Sequence, residues 1–334
     1  MSVHVERPGL LTTVQDLGRT GLQHLGVPVN GVMDEVAHRL ANLLVGNDEG
    51  EATLEMTLTG ARLRFGEDAV IAVCGADMEA RAGERLLPGW RPVRVPRGTV
   101  LDFGRAVQGA RTYLAVAGGF DVPPVFGSRS TALMGGYGGH RGRALRKGDP
   151  LALRVPDHAH APRWVRLLTR TGPGLAYPNW SVGRAGMSHP QRPQMVRLVP
   201  GRHHEGFAES AHDQLTRALY RVARDSDRMG YRLEGAALPG VRGGDGLSEG
   251  MVMGAIQVPP DGNPIVLMAD RQTAGGYPVI AVVAHADLPV MGQIAPGDDV
   301  QFGFISLEES HGASAQREFL LGRIRQALSS RLGV

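Results

Sequence analysis

Short apolar runs, many alternating with polar residues and bounded by Gly, Pro or Asp, dominate the chain. That pattern predicts strands joined by tight turns. Helical spacing is confined to three places. Asp34 to Val45 carries Val36, Leu40, Leu43 and Leu44 at helical intervals, with Asp34 as an N-cap and Gly46 just past the end. Ser210 to Arg224 places Leu215, Leu219 and Val222 on one face. The tail from Ser314 to Leu332 predicts an amphipathic helix through Phe319, Leu320, Ile324 and Leu328.

The strand grammar repeats. VPRGTVLDFG (95–104), LRKGDPLAL (145–153) and IAPGDDVQFG (294–303) each place a Gly turn before a strand with apolar residues at alternate positions. A longer match aligns GARTYLAVAGG (109–119) with GNPIVLMADRQTAGG (262–276). Both point to two similar β-barrel-like halves. Arg154 to Trp164, rich in Pro and His and without a period, predicts the linker, and Thr169 to Pro193 a long loop.

Composition sharpens this picture. The 334 residues suit two domains. Their 47 glycines and 22 prolines are spread along the chain, as expected for many turns. Net charge is +3, Lys147 is the only lysine, and the arginines are scattered among few aromatics. That argues against nucleic-acid binding. Cys74 is alone in an apolar run and predicts a core thiol in a chain without disulfides. No segment reads as a signal peptide or a membrane span, so a soluble cytoplasmic protein is expected.

Five polar stretches interrupt the apolar grammar. Asp270-Arg271-Gln272-Thr273 separates two apolar runs and precedes Gly275-Gly276 and Tyr277. It reads either as an elaborate turn tied by an Asp–Arg pair or as a site in which Arg grips a carboxylate or phosphate. Asp227-Arg228 reads as a helix terminus closed by Gly230 or as a second acid–guanidinium pair. Glu249 is a candidate base, and Gln257 sits on an otherwise apolar strand where it needs a partner. The Gly-rich loop with Ser128, Arg129, Ser130 and Thr131 is a candidate phosphate cradle or a barrel corner. Gln15, Asp16 and Arg19 lead into a polar Gly-rich loop that ends at Asp34. His158, His160, His203 and His204 lack matched ligands at familiar spacing, so no metal is expected.

The series TVQDLGRTGLQHLGVPVNGVMD, ANLLVGN, LEMTLTG, YLAVAGGFDVPPVFGSRST, SDRMGYRLEG and GAIQVPPDGNPIVLMADRQTAGGYPVIAVV resembles one family. Its members are called the C subunit of 5-oxoprolinase, allophanate hydrolase subunit 2 or Kip antagonist. The same module forms half of the carboxyltransferase region of urea carboxylase. The match is colinear from about Pro8 to Phe304.

The resemblance implies a mainly β fold of two cyclophilin-like β-barrel domains, 1–155 and 165–306, with a few short helices and the tail helix 314–332. It implies a B subunit as partner (Kip inhibitor-like) and an A subunit, which together with this chain hydrolyse 5-oxoproline to glutamate using ATP with Mg shared with the partner. No biotin is expected on this chain. Arg271 or Arg228 would hold an anionic group, Gln257, Gln272 and Thr273 the amide edge, and Tyr277 would wall the pocket. Glu249 or Asp270 would handle protons or orient an arginine. Arg129, Ser130 and Thr131 remain the phosphate candidates. Two other roles stay open: antagonism of a sensor-kinase inhibitor, and amide carboxyl transfer. One departure stands out: Arg202 and His203 occupy a place where family members often carry Pro-Gln.

Overall fold

The structure is a computed structural model describing residues 2–155, 165, 168, 174–183, 193–239 and 247–331. Most of the expected linker (154–164) and of the expected loop over 169–193 lies outside the described residues. The described chain is mainly β with few helices. It divides into two compact units: Met1–Gly18 with Asp34–Met187 and Phe319–Val334, and Arg19–Met33 with Ser188–Glu318. This division differs from the expected boundaries. Arg19–Met33 joins the second unit because Met33 is buried in its core.

In the first unit two sheets share one core. One runs in the order Pro150–Ala152, Ser2–Arg7, Arg62–Phe65, Val100–Asp102, Arg81–Ala82, Arg85–Leu86; the other runs Leu11–Gln15, Thr53–Thr57, Gln108–Val116, Ala69–Asp77, Pro92–Val95. Val3, Val5, Leu63 and Phe65 from the first sheet and Leu54, Met56, Ile71 and Val116 from the second belong to a single apolar cluster. Cys74 is buried inside its strand, and burial pushes the thiol's pKa well up. The turn glycines of the repeat, Gly98, Gly148 and Gly297, all adopt left-handed φ of 81°, 90° and 91°.

The helix Glu35–Val45 forms as predicted. The Asp34 carboxylate accepts the Ala37 N–H at 2.9 Å, and Gly46 closes the end at φ 77°. Its inner face is not purely apolar, since His38 and Asn42 are fully buried. His38 Nδ1 lies 2.9 Å from Thr53 Oγ1. Nearby, Tyr113 donates its hydroxyl to Glu55 at 2.8 Å and accepts the Asp34 N–H at 2.8 Å.

The second unit is a closed seven-stranded barrel. Its order is Gln194–Pro200, Val279–Val283, Ala255–Gln257, Ile265–Leu267, Gly230–Glu234, Tyr220–Val222, Asp299–Phe304. The last strand closes in parallel on the first, with Val196 opposite Phe302. Val196, Leu198, Tyr231, Ile256, Val266, Ile280, Val300 and Phe302 fill the interior.

Two helix expectations need correction. The predicted helix over 210–224 is Glu209–Arg217, and Tyr220–Val222 is a barrel strand. Tyr220 and Val222 are buried while Leu219 and Arg221 are exposed, so the period there is two and tertiary pairing overrides the helical spacing. The tail helix starts earlier, at Leu307. Ser306 Oγ accepts the Glu309 N–H at 3.1 Å while Glu309 accepts the Ser306 N–H at 2.7 Å, a reciprocal cap written in Ser306-Leu307-Glu308-Glu309. Leu321 and Leu328 are buried on it along with Ser310, and Phe319 and Leu320 are exposed.

Burial pushes the His38 pKa down to about 4, so the ring is neutral at pH 7. The unfolded chain takes up this proton near pH 6.5 and the folded chain does not, so stability falls as pH drops from about 6.5 to about 4, by roughly 3 kcal/mol. Urea unfolding across that range should show this slope, and His38→Gln should flatten it. An unchanged slope in the variant would assign the pH dependence elsewhere.

Candidate functional site

The two apolar runs that flank Asp270–Thr273 are not barrel neighbours. The strand Ala255–Gln257 lies between Ile265–Leu267 and Val279–Val283 and pairs with both. Residues 268–278 must therefore cross the end of that strand, which a tight hairpin turn does not do. Within the crossing, Ala274–Gly275 pairs with Glu249–Gly250 to make a separate two-stranded ribbon.

Asp270 is the fixed point of the crossing. Arg228, on the turn before Gly230–Glu234, donates Nε to Asp270 Oδ2 at 2.9 Å and Nη2 to Oδ1 at 3.1 Å. Arg228 Nη2 also donates to the Gly31 carbonyl at 2.6 Å. Asn30 Nδ2 donates to Asp270 Oδ1 at 2.8 Å, and Arg19 Nη1 donates to Asn30 Oδ1 at 2.6 Å. All four side chains are buried. The turn they hold is unusual, with Asn30 at φ 56° and Gly31 at φ 90°. Removing one partner of such a buried pair costs about 3–5 kcal/mol, because the other charge is stranded.

Arg271, the next residue, is treated differently. It is only 8% exposed, and among the described residues its side chain makes one hydrogen bond, from Nε to the Met251 carbonyl at 3.2 Å. Among the described residues it has no carboxylate partner, and burial holds its pKa below the usual arginine value. The same Met251 carbonyl accepts Gln23 Nε2 at 2.7 Å, and Gln23 reaches the Thr273 carbonyl at 3.3 Å. Thr273 also accepts the Met251 N–H at 2.9 Å.

Two side-chain amides meet beside this hub. Buried Gln257 donates Nε2 to the Tyr277 carbonyl at 3.3 Å and to Met251 Sδ at 3.4 Å. Exposed Gln272 donates Nε2 to Gln257 Oε1 at 3.4 Å. A Cβ on Gly275 would stand 2.8 Å from Gln257 Nε2 and 3.2 Å from Gln272 Nε2, so a side chain there would push both amides aside. Glu249 sits opposite Gly275 on the ribbon and pairs with Arg202 at 3.1 Å. Tyr277 is half-exposed and lines a separate cavity of about 490 Å³ with Arg232, Pro259 and Asn263.

The structure thus gathers Arg228, Asp270, Arg271, Gln257, Gln272, Thr273 and Glu249 at the ends of neighbouring strands and along one crossing segment. Asp270 is placed to orient Arg228. Sequence reasoning missed Asn30, Gln23 and Met251. The Asn30-Gly31 dipeptide was the available signal, since both residues favour a left-handed turn.

The Arg129–Thr131 loop is engaged within the first unit. Asp16 accepts from Ser128 Oγ and Ser130 Oγ, both at 2.6 Å, from the Arg129 N–H at 2.5 Å and from the Gly18 N–H at 2.8 Å. Thr131 Oγ1 donates to the Val14 carbonyl at 2.9 Å. The loop does cradle an anion, and that anion is the chain's own carboxylate. Burial would raise the Asp16 pKa, but the hydroxyls and amides outweigh it and hold it below the ordinary range.

Residues 25–304 match the family described as the carboxyltransferase domain, subdomain A and B. The chain is 39% identical to the C subunit of 5-oxoprolinase from Escherichia coli (strain K12) over 307 residues, 91% of each chain. It is 34% identical over 319 residues to the protein of the same name from Haemophilus influenzae, 96% of each. The chain belongs to this carboxyltransferase-domain family. In the crystal structure of the K. lactis urea amidolyase, the related part superposes with a TM-score of 0.85 at 31% identity, covering 98% of this chain and 20% of that one. The carboxyltransferase-domain fold therefore occurs both as a separate chain and inside a much longer one.

A buried cation without a carboxylate partner weakens the ligand-free fold. Arg271→Met should raise stability by about 1–3 kcal/mol in urea unfolding. A comparable loss of stability would show that Arg271 braces the loop and is not waiting for a ligand.

Proposed function

We propose that this chain is the C subunit of an ATP-dependent 5-oxoprolinase, acting with the A and B subunits to convert 5-oxoproline to glutamate. Two proteins named as that subunit are similar to it over nearly their whole length. The observation that carries the reading is Arg271, a buried guanidinium without a carboxylate partner among the described residues, beside the Gln257–Gln272 amide pair. 5-Oxoproline has the matching chemistry: a carboxylate for Arg271 and a lactam amide for Gln272, Gln257 and Thr273.

A lactam carbonyl is a poor electrophile. Transfer of the γ-phosphoryl of ATP to the lactam oxygen, releasing ADP, makes its carbon far easier to attack. Water then adds at that carbon, the ring C–N bond breaks as the nitrogen takes a proton, and a second water hydrolyses the resulting acyl phosphate, releasing phosphate and leaving the glutamate carboxylate. Arg271 holds the anionic group, Asp270 keeps Arg228 in place, Glu249 handles protons, and the fixed donors meet charge where it develops. Tyr277 contributes its carbonyl to the Gln257 amide. We assign ring opening to the A subunit. We place the nucleotide and its Mg on a surface shared with the B subunit, because Asp16 engages the Ser128–Ser130 donors. The reaction needs no biotin on this chain.

The urea amidolyase likeness supports a second reading, amide carboxyl transfer. The chain should be co-expressed with the A and B subunits and assayed for glutamate and ADP with and without 5-oxoproline. Turnover in the full set, lowered by about 10²-fold or more in Arg271→Ala, is the expected result. Tight binding to the B subunit without turnover would favour antagonism of a sensor-kinase inhibitor, and bicarbonate- and biotin-dependent product would favour carboxyl transfer.

A further inference from the structure

The Arg202-His203 departure finds its place beside the amide pair. Gly201 brings this loop flat against the strand Val279–Val283. A Cβ there would stand 2.5 Å from the Val279 carbonyl oxygen, and the Gly201 N–H donates to the Ile280 carbonyl at 3.0 Å. His203 is then held twice by one residue. Its N–H donates to the Val279 carbonyl at 3.0 Å, and its Nδ1 accepts the Val279 N–H at 3.1 Å. With Nδ1 accepting, the neutral ring carries its proton on Nε2. Nε2 faces Glu249 Oε1 at 4.0 Å, while Arg202 Nε reaches Glu249 Oε2 at 3.1 Å.

Glu249 pairs directly with Gly275 across the antiparallel ribbon. Opposed residues put their side chains on the same face, with Cβ positions about 4.5–5.5 Å apart. The face on which Gly275 lacks a side chain is where Gln257 and Gln272 converge. A carboxylate acceptor and an amide donor therefore share one small face. A lactam or a cyclic urea presents N–H and C=O side by side on one edge, the complement of that pair. A trans secondary amide presents them on opposite sides.

We propose that Glu249 and Gln272 together read the cis N–H/C=O edge of the substrate, and that His203 is the positioning residue that sets Glu249 for this task. The assignment rests on the lactam reading above. Magnitudes separate the two neighbours of Glu249. The Arg202 side chain is 73% exposed, and such a pair contributes little. His203 is 33% exposed and anchored by two backbone hydrogen bonds, so its direction is fixed.

The test is calorimetric titration of the full chain with 5-oxoproline, its N-methyl analogue, and 2-imidazolidinone, which keeps the edge and lacks the carboxylate. The unaltered chain should prefer 5-oxoproline over the N-methyl compound by about tenfold or more. Asn keeps an acceptor for the Val279 N–H but no donor towards Glu249, whereas Gln keeps the donor. His203→Asn should therefore lose the preference and His203→Gln should keep it, with Arg202→Ala changing it less than about threefold. A loop-bracing role alone would make Asn the better replacement, and that order would overturn the positioning role. Equal binding of the N–H and N-methyl lactams would overturn the edge reading while leaving the lactam function standing. Binding of 2-imidazolidinone alone, lost in His203→Asn, would support the edge reading and remove the lactam-acid function. Binding of neither edge-bearing compound would overturn the inference.

Discussion

The buried pair between Arg228 and Asp270 is the constraint on which the candidate site depends. It fixes the first residue of the polar segment that crosses the end of Ala255–Gln257, and through Asn30 and the Gly31 carbonyl it fixes the 19–33 segment as well. A buried ion pair is often no more stabilising than apolar side chains of the same volume. What it supplies here is position. Both oxygens of Asp270 accept from fixed donors, so the carboxylate cannot swing to neutralise its neighbour. Arg271 is left as a buried cation without a carboxylate partner among the described residues.

The first unit shows the opposite solution to the same electrostatic problem. Asp16 is equally buried but surrounds itself with two hydroxyls and two backbone amides, and its charge is satisfied within the fold. His38 solves it in a third way, by staying neutral. Buried polar groups that are fully hydrogen-bonded fix a unique packing. One that is left short marks a place where the fold carries a cost that a ligand can relieve. Among the described residues Asp16 is complete and Arg271 lacks a carboxylate partner, and that contrast distinguishes the two more sharply than residue type does.

Much of this was legible in the sequence, for identifiable reasons. The helix at Asp34–Val45 carries both its start and its stop in local residues, and the Gly turns of the repeat need left-handed backbone that glycine supplies. The candidate residues were visible because polar residues interrupt apolar strands. What stayed hidden depended on pairing. Tyr220–Val222 is a strand because partners on both sides accept it, although its spacing also suits a helix. The roles of Asp270 and Arg271 look interchangeable in sequence, and only the direction of Arg228 divides them. The Asp16 cradle joins residues more than a hundred positions apart, a distance that no local pattern spans.

The most direct test is a crystal structure of this chain soaked with 5-oxoproline. The account predicts the ligand's carboxylate within about 3 Å of the Arg271 guanidinium and its lactam edge over Gly275, with the Arg228–Asp270 pair unmoved. A ligand bound elsewhere, or Arg271 turned to a protein carboxylate with the site closed, would contradict it.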